Sequence, residues 1–227
     1  MVRIVRVRRG DESYIAVIGD MLSSRALSSA ERKSVQSRFS EYIGALNRSK
    51  RYRSALVSKF AITLGDEFQG ILKDSSVLPD LIWDVTGALG LPAFRLGIGY
   101  GTIDTAIPPY AINLDGPALH RARAAIETAK SGEILGGVFV GFGEEIDEVA
   151  NGIARLLSFH VHKRSSIQLR VLGFLRQGYS QVEIARLMNQ SPQAVSQHKK
   201  AAGWESFHAG EQALCAILRI ATAPRPK

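Results

Sequence analysis

Residues 60 to 72 read Phe60-Ala-Ile-Thr-Leu-Gly-Asp-Glu-Phe-Gln-Gly-Ile-Leu72, two runs rich in aromatic and branched side chains on either side of a glycine and two acids. The pattern predicts a hairpin: a strand over 60–63, a tight turn at Leu64-Gly65-Asp66-Glu67, and a return strand over 68–72. Upstream, Val35, Phe39, Ile43 and Leu46 recur at helical spacing between about 28 and 48. Before them Tyr14-Ile-Ala-Val-Ile-Gly19 is an apolar run that stops at Asp20, as a buried strand does when it delivers its last residue to a sheet edge. Downstream, Pro79 opens a helix toward 89. A strand follows over 94–100, where glycines allow a close approach. Then come a loop with Pro108 and Pro109, a helix over 116–129 and a strand over 133–140. The order β-α-β-β-α-β predicts the ferredoxin-like arrangement of two split βαβ units.

After His162 the texture becomes helical throughout. Ile167 to Leu175 fill one helix that ends at Gly178. Ser180 N-caps a second, with Glu183 completing a capping box. Ser191-Pro192 starts a third, and a further helix runs from Glu205 to Ala221. The expected class is therefore α/β (α+β), a sheet domain over 1–160 followed by a small all-α domain over 161–227.

Charge separates the same two parts. Lys and Arg outnumber Asp and Glu by 19 to 18 before His160 and by 10 to 3 from His160 onward, so +7 of the net +8 lies in the last third. That is the distribution of a nucleic-acid-binding module attached to a neutral domain. No stretch reaches the roughly 18 apolar residues of a membrane span. The opening MVRIVRVRRGDE lacks the apolar core of a signal peptide, so a cytoplasmic protein is expected. The single cysteine, Cys215 in ALCAIL, excludes a disulfide framework.

The run Gly178-Tyr-Ser-Gln-Val-Glu-Ile-Ala-Arg-Leu-Met-Asn-Gln-Ser-Pro-Gln-Ala-Val-Ser-Gln-His-Lys-Lys200 resembles the helix-turn-helix of sigma-factor region 4 and of response regulators. Its second helix would turn Gln193, Ser196, Gln197 and Lys200 outward, with Lys199 close by. Gln pairs bidentately with adenine and Lys reaches phosphate or guanine, so DNA is the expected partner. The last helix either caps this small core or pairs with its copy in a homodimer.

In the first domain, Asp20 and Asp66-Glu67 are expected to converge at one sheet edge. Such mutually repelling carboxylates suit a hard cation, Mg2+, with nucleotide phosphates. Ile18-Gly-Asp-Met-Leu-Ser-Ser-Arg25 resembles the first metal-binding strand and loop of class III nucleotide cyclases. Leu64-Gly-Asp-Glu-Phe68 is one residue from the signature loop of diguanylate cyclases. Gly116-Pro-Ala-Leu-His-Arg-Ala-Arg-Ala-Ala125 resembles the cyclase helix that bears catalytic residues. The resemblance makes Asp20 and Asp66 the metal-binding aspartates and Glu67 the fourth position of the diguanylate cyclase loop. It places His120 where those enzymes carry asparagine, Ala124 where they carry arginine, and Ile62 where class III enzymes carry a base-reading lysine. Arg121 and Arg123 lie near enough in sequence to serve phosphate.

Taken together, the IGD…SSR start, GDEFQGIL, FRLGIGYGTIDT and DGPALHRAR resemble the SatD family of bacterial proteins over most of 14–130. The expectation is a DNA-binding regulator whose palm-like domain binds a nucleotide with Mg2+. The alternatives are a metal-dependent nucleotidyl cyclase or nucleotidyltransferase using His120, Arg121 or Arg123, and a palm that is a non-catalytic dimerisation scaffold. Trp83, Trp204 and Cys215 are expected to pack, and His160 and His162 to lie in a solvated linker.

Overall fold

A computed structural model describes residues 12–22, 29–87, 94–132, 134 and 136–223. Ser23, Ser24 and Arg25 of the start motif and the basic opening segment lie outside them. The elements are β1 (Tyr14–Met21), α1 (Ser29–Arg48), α2 (Lys50–Arg53), β2 (Leu56–Leu64), β3 (Glu67–Leu72), a 3-10 turn (Ser75–Val77), α3 (Leu78–Gly87) and β4 (Phe94–Gly101). They continue with α4 (Pro117–Ser131), β5 (Gly136–Val140), α5 (Glu144–His162), α6 (Ser166–Arg176), α7 (Gln181–Met188), α8 (Pro192–Ala201) and α9 (Trp204–Thr222).

The chain is mixed α/β and divides into two compact units, Met1–Arg155 with Leu214–Lys227, and Leu156–Ala213. The expected division at 160/161 falls within α5, and the residues from Leu214 on group with the first unit.

The first unit is built on a five-stranded sheet in the order β2-β3-β1-β4-β5. β1 runs antiparallel to both β3 and β4, β2 runs antiparallel to β3, and β5 joins β4 in parallel. The β2–β3 hairpin closes through Gly65-Asp66, and Gly65 sits at φ +48°, where a side chain would be strained.

On one face Tyr14, Ala16, Ile18 and Ile71 pack against Ala118, Leu119, Ala122, Ala125, Ile126 and Ala129 of α4. The small residues matter. A Cβ at Gly97 or Gly99 of β4 would collide with the α4 backbone around Ala118 to Ile126, so the helix lies on the strand at backbone distance. The approach anticipated at these glycines is that of a helix.

On the other side Phe39 of α1 meets Phe68 and Phe94, with ring centroids 6.1 and 5.3 Å away. Val35, Phe39, Ile43 and Leu46 are all buried, as their spacing predicts. Asn47 fastens α1 to β2: its Nδ2 donates to the Phe60 carbonyl at 2.9 Å and its Oδ1 accepts from the Phe60 N–H at 2.8 Å.

The loop with two prolines returns along the outer strand β2. The Lys59 N–H donates to the Pro109 carbonyl and the Ala111 N–H to the Lys59 carbonyl, both at 2.9 Å. Ser58 Oγ donates to the Pro108 carbonyl at 2.7 Å, and Gln69 Nε2 to the Ala111 carbonyl at 2.7 Å.

In the second unit α6, α7 and α8 surround Val171, Ile184, Ala185 and Val195, with Phe174, Leu175 and Met188 packed against them. Each helix begins at a serine whose hydroxyl accepts a backbone N–H. Ser165 and Ser180 do so within full capping boxes with Gln168 and Glu183, and Ser191 caps Ala194 ahead of Pro192. Asn189 at φ +52° ends α7.

Candidate functional site

Side chains alternate along a strand, so Asp20 shares the face of Tyr14, Ala16 and Ile18, and Glu67 that of Gln69 and Ile71. That is the α4 face. Register makes Asp20 and Glu67 direct cross-strand partners, with Arg95 of β4 opposite Asp20 on its other side. Asp66 adjoins them in the turn, where its carbonyl accepts the Met21 N–H at 3.1 Å. The expected convergence of carboxylates is therefore a consequence of strand order.

Two acids facing each other across a ladder repel, and α4 supplies the compensation. Arg123 forms a fork on Glu67, Nη1 to Oε2 at 2.6 Å and Nη2 to Oε1 at 2.8 Å. Thr63 Oγ1 adds a donor to Glu67 Oε1 at 3.2 Å. The Glu67 side chain is only 6% exposed, against 45% for Arg123. Two helical turns further on, Lys130 Nζ lies 3.3 Å from Asp20 Oδ1 and 3.4 Å from Glu127 Oε1.

The electrostatics record both effects. Burial pushes the Asp20 carboxyl above its ordinary range; Lys130 pulls the other way, and nearby Asp66 and Glu67 push it up again. Burial lowers the Lys130 ammonium, but Asp20 and Glu127 outweigh it and hold the group above its ordinary value. Hydrogen bonds to Glu67 hold the Arg123 guanidinium above its own. The two partners of the Asp20–Lys130 pair thus move the same way: Lys130 reports the attraction, and Asp20 reports that desolvation and like charge exceed it.

As they stand, these residues do not fit a bound Mg2+. Both Glu67 oxygens carry guanidinium hydrogens and one Asp20 oxygen faces an ammonium. Among the described residues no group of three His, Cys, Asp or Glu side chains is arranged to hold a metal. The other residues named for chemistry are also engaged. His120 Nε2 lies 2.7 Å from Asp115 Oδ1, with both side chains mostly exposed. Arg121 Nη1 donates to the Tyr100 carbonyl at 2.6 Å.

In the second unit α8 buries Val195 and exposes Gln193, Ser196, Gln197 and Lys200. Lys199 is half-buried, its Nζ 2.8 Å from Glu205 Oε1 at the start of α9. Of the five residues expected on the outward face, four are free of any fold-building role visible in their burial, and the fifth helps dock α9.

Sequence reasoning missed three things here. Arg176 and Glu211 form an ion pair with side chains 7% and 11% exposed, Nη2 to Oε1 at 2.7 Å, joining α6 to α9. His160 is not a linker residue. It closes α5, stacks on Phe207 at 5.4 Å, and accepts from Arg164 Nη2 at 2.8 Å, while burial and then Arg164 lower its basicity. Lys130 was not named at all, although its seven-residue spacing from Arg123 puts both on one side of α4. Cys215 is half-buried, and Leu214 and Leu218 of α9 are buried within the chain. No helix among the described residues is long and apolar enough to cross a membrane.

Comparison with curated proteins and with solved structures finds no match. The family model described as SatD family matches residues 14–214. That span runs from the first residue of β1 into α9 and takes in both the acidic sheet edge and the capped helices, and the chain belongs to the SatD family.

Proposed function

We propose that this is a DNA-binding regulatory protein in which α7 and α8 form a helix-turn-helix and α8 enters the major groove. The observation that carries it is the division of α8. One side holds Val195 in the small core, and the other presents Gln193, Ser196, Gln197 and Lys200 to solvent. Glutamine and lysine at solvent-facing positions of a short, well-capped helix are the chemistry of base and phosphate contact. The +7 balance from His160 onward supports the same partner.

For the first unit, the order β2-β3-β1-β4 with antiparallel pairing supports the ferredoxin-like palm. Three roles were expected of it: a sensor for nucleotide with Mg2+, a two-metal enzyme, and a non-catalytic scaffold. The ion pairs on Glu67 and Asp20 favour the scaffold, because either metal-dependent role requires those carboxylates to be vacated first. Incubation with each nucleoside triphosphate and Mg2+ should yield no metal-dependent product, and turnover lost in Asp66→Asn would restore the enzyme.

The DNA assignment is tested by selecting a site from random duplexes and measuring affinity by anisotropy. Gln197→Ala should weaken binding by about 1–3 kcal/mol and relax preference at one base pair. Lys200→Ala should weaken all sequences alike and reduce the salt slope by about one. Affinity indifferent to both changes removes α8 as the reading helix.

A further inference from the structure

We infer that Arg123 and Lys130 of α4 do for Asp20 and Glu67 what a divalent cation would otherwise do, and that removing them opens a cation site on these two carboxylates. The two basic residues are seven apart on one helix, about 10 Å along its axis. Each meets a different carboxylate of the same cross-strand pair. A dication such as Mg2+ needs oxygen ligands at about 2.0–2.1 Å in near-octahedral array. Glu67 cannot offer them while Arg123 and Thr63 hold its oxygens in a side chain almost closed to water.

The charge balance points the same way. Asp20, Asp66 and Glu67 bring three negative charges to the edge. Arg123 and Lys130 return two positive ones, and Arg95 sits in register beside Asp20. A dication at this edge would have to compete with the guanidinium on Glu67 and the ammonium on Asp20. Burial is the main cause that raises the Asp20 carboxyl, and Asp66 and Glu67 add to it in the same direction. Helix α4 would then play a part that a bound ion plays elsewhere: it neutralises the strand ends and ties them to the overlying helix.

The test uses the full chain and Mn2+ alone, with free Mn2+ followed by its paramagnetic resonance. Wild type should leave the free signal unchanged up to millimolar metal, and its melting temperature should be the same with EDTA as with Mn2+. R123M/K130M should retain Mn2+ at least tenfold more tightly, one ion per chain, and adding Asp20→Asn should abolish the gain. A wild-type site that disappears in Asp20→Asn overturns the inference, as does a folded double variant that binds nothing. Should the double variant fail to fold, the wild-type titration with the Asp20→Asn control decides alone: no Asp20-dependent site sustains the inference, and such a site refutes it.

Discussion

Arg123→Met removes both hydrogen bonds of the fork on Glu67 and keeps most of the aliphatic stem. What it leaves is a carboxylate 6% exposed, with Thr63 its remaining donor and Asp20 across the strand. Stripping one partner from a fully buried pair costs about 3–5 kcal/mol. Here the guanidinium is 45% exposed, so water already screens the pair, and about 2–3 kcal/mol is the appropriate figure. Glu67→Gln is the mirror experiment with a different outcome. The amide oxygen still accepts from Arg123, whose cation stays half in water, so the cost should be near 1 kcal/mol. The asymmetry between the two is the signature. The assay is urea unfolding followed by tryptophan fluorescence in a Trp204→Phe background, where Trp83 is the remaining tryptophan and reports the sheet unit. In a thermal scan read by the same signal, Arg123→Met should melt roughly 4–12 °C below the parent. If Glu67→Gln is the costlier change, or both stay within about 0.5 kcal/mol of wild type, the fork does not have the role assigned to it.

Four further outcomes are expected. Gly99→Ala should destabilise the sheet unit by about 1–3 kcal/mol or more, because the new Cβ meets the backbone of Ala118 and Ala122; Gly152→Ala, with open space around it, should stabilise by about 0.5–1 kcal/mol in the same denaturation series. Ser180→Ala should cost about 1 kcal/mol by removing the hydroxyl that accepts from the Glu183 N–H and donates to its carboxylate, seen as faster amide exchange in α7. Since the folded state lowers His160 below its ordinary 6.5, the stability it contributes is full above that value and is lost as pH falls through it toward the folded value. The unfolding midpoint of the second unit should therefore drop as pH falls below the ordinary histidine value of 6.5, and His160→Gln should flatten the slope.

Much of the fold was legible because local signals and tertiary packing agree. The hairpin turn, the buried spacing of α1 and the capping box of α7 each rest on a few neighbouring residues, and they stand where the sequence puts them. Helix α5 is absent from the sequence-based order of elements, although Glu144, Glu145 and Asp147 in its first turn and its apolar repeat are ordinary helix signals. At the acidic edge, strand alternation and hairpin order suffice to bring Asp20, Asp66 and Glu67 together. The identity of their partners depends on how α4 crosses the strands, and a single sequence does not encode that crossing in any local pattern. The arginine that sequence spacing offers to phosphate, Arg123, therefore has Glu67 as its partner, and Lys130 pairs with Asp20.

The proline-bearing segment along β2 has a bearing on solubility. An outer strand with unsatisfied amides is where sheets recruit foreign chains, by accretion into fibrils or by exchange between neighbours. At Lys59 both backbone groups are already spoken for by Pro109 and Ala111, and Pro108 and Pro109 have no N–H to extend the ladder outward. A stranger seeking that margin must first peel the segment away, so resistance to fibril growth on this flank resides in a loop that looks like mere connection.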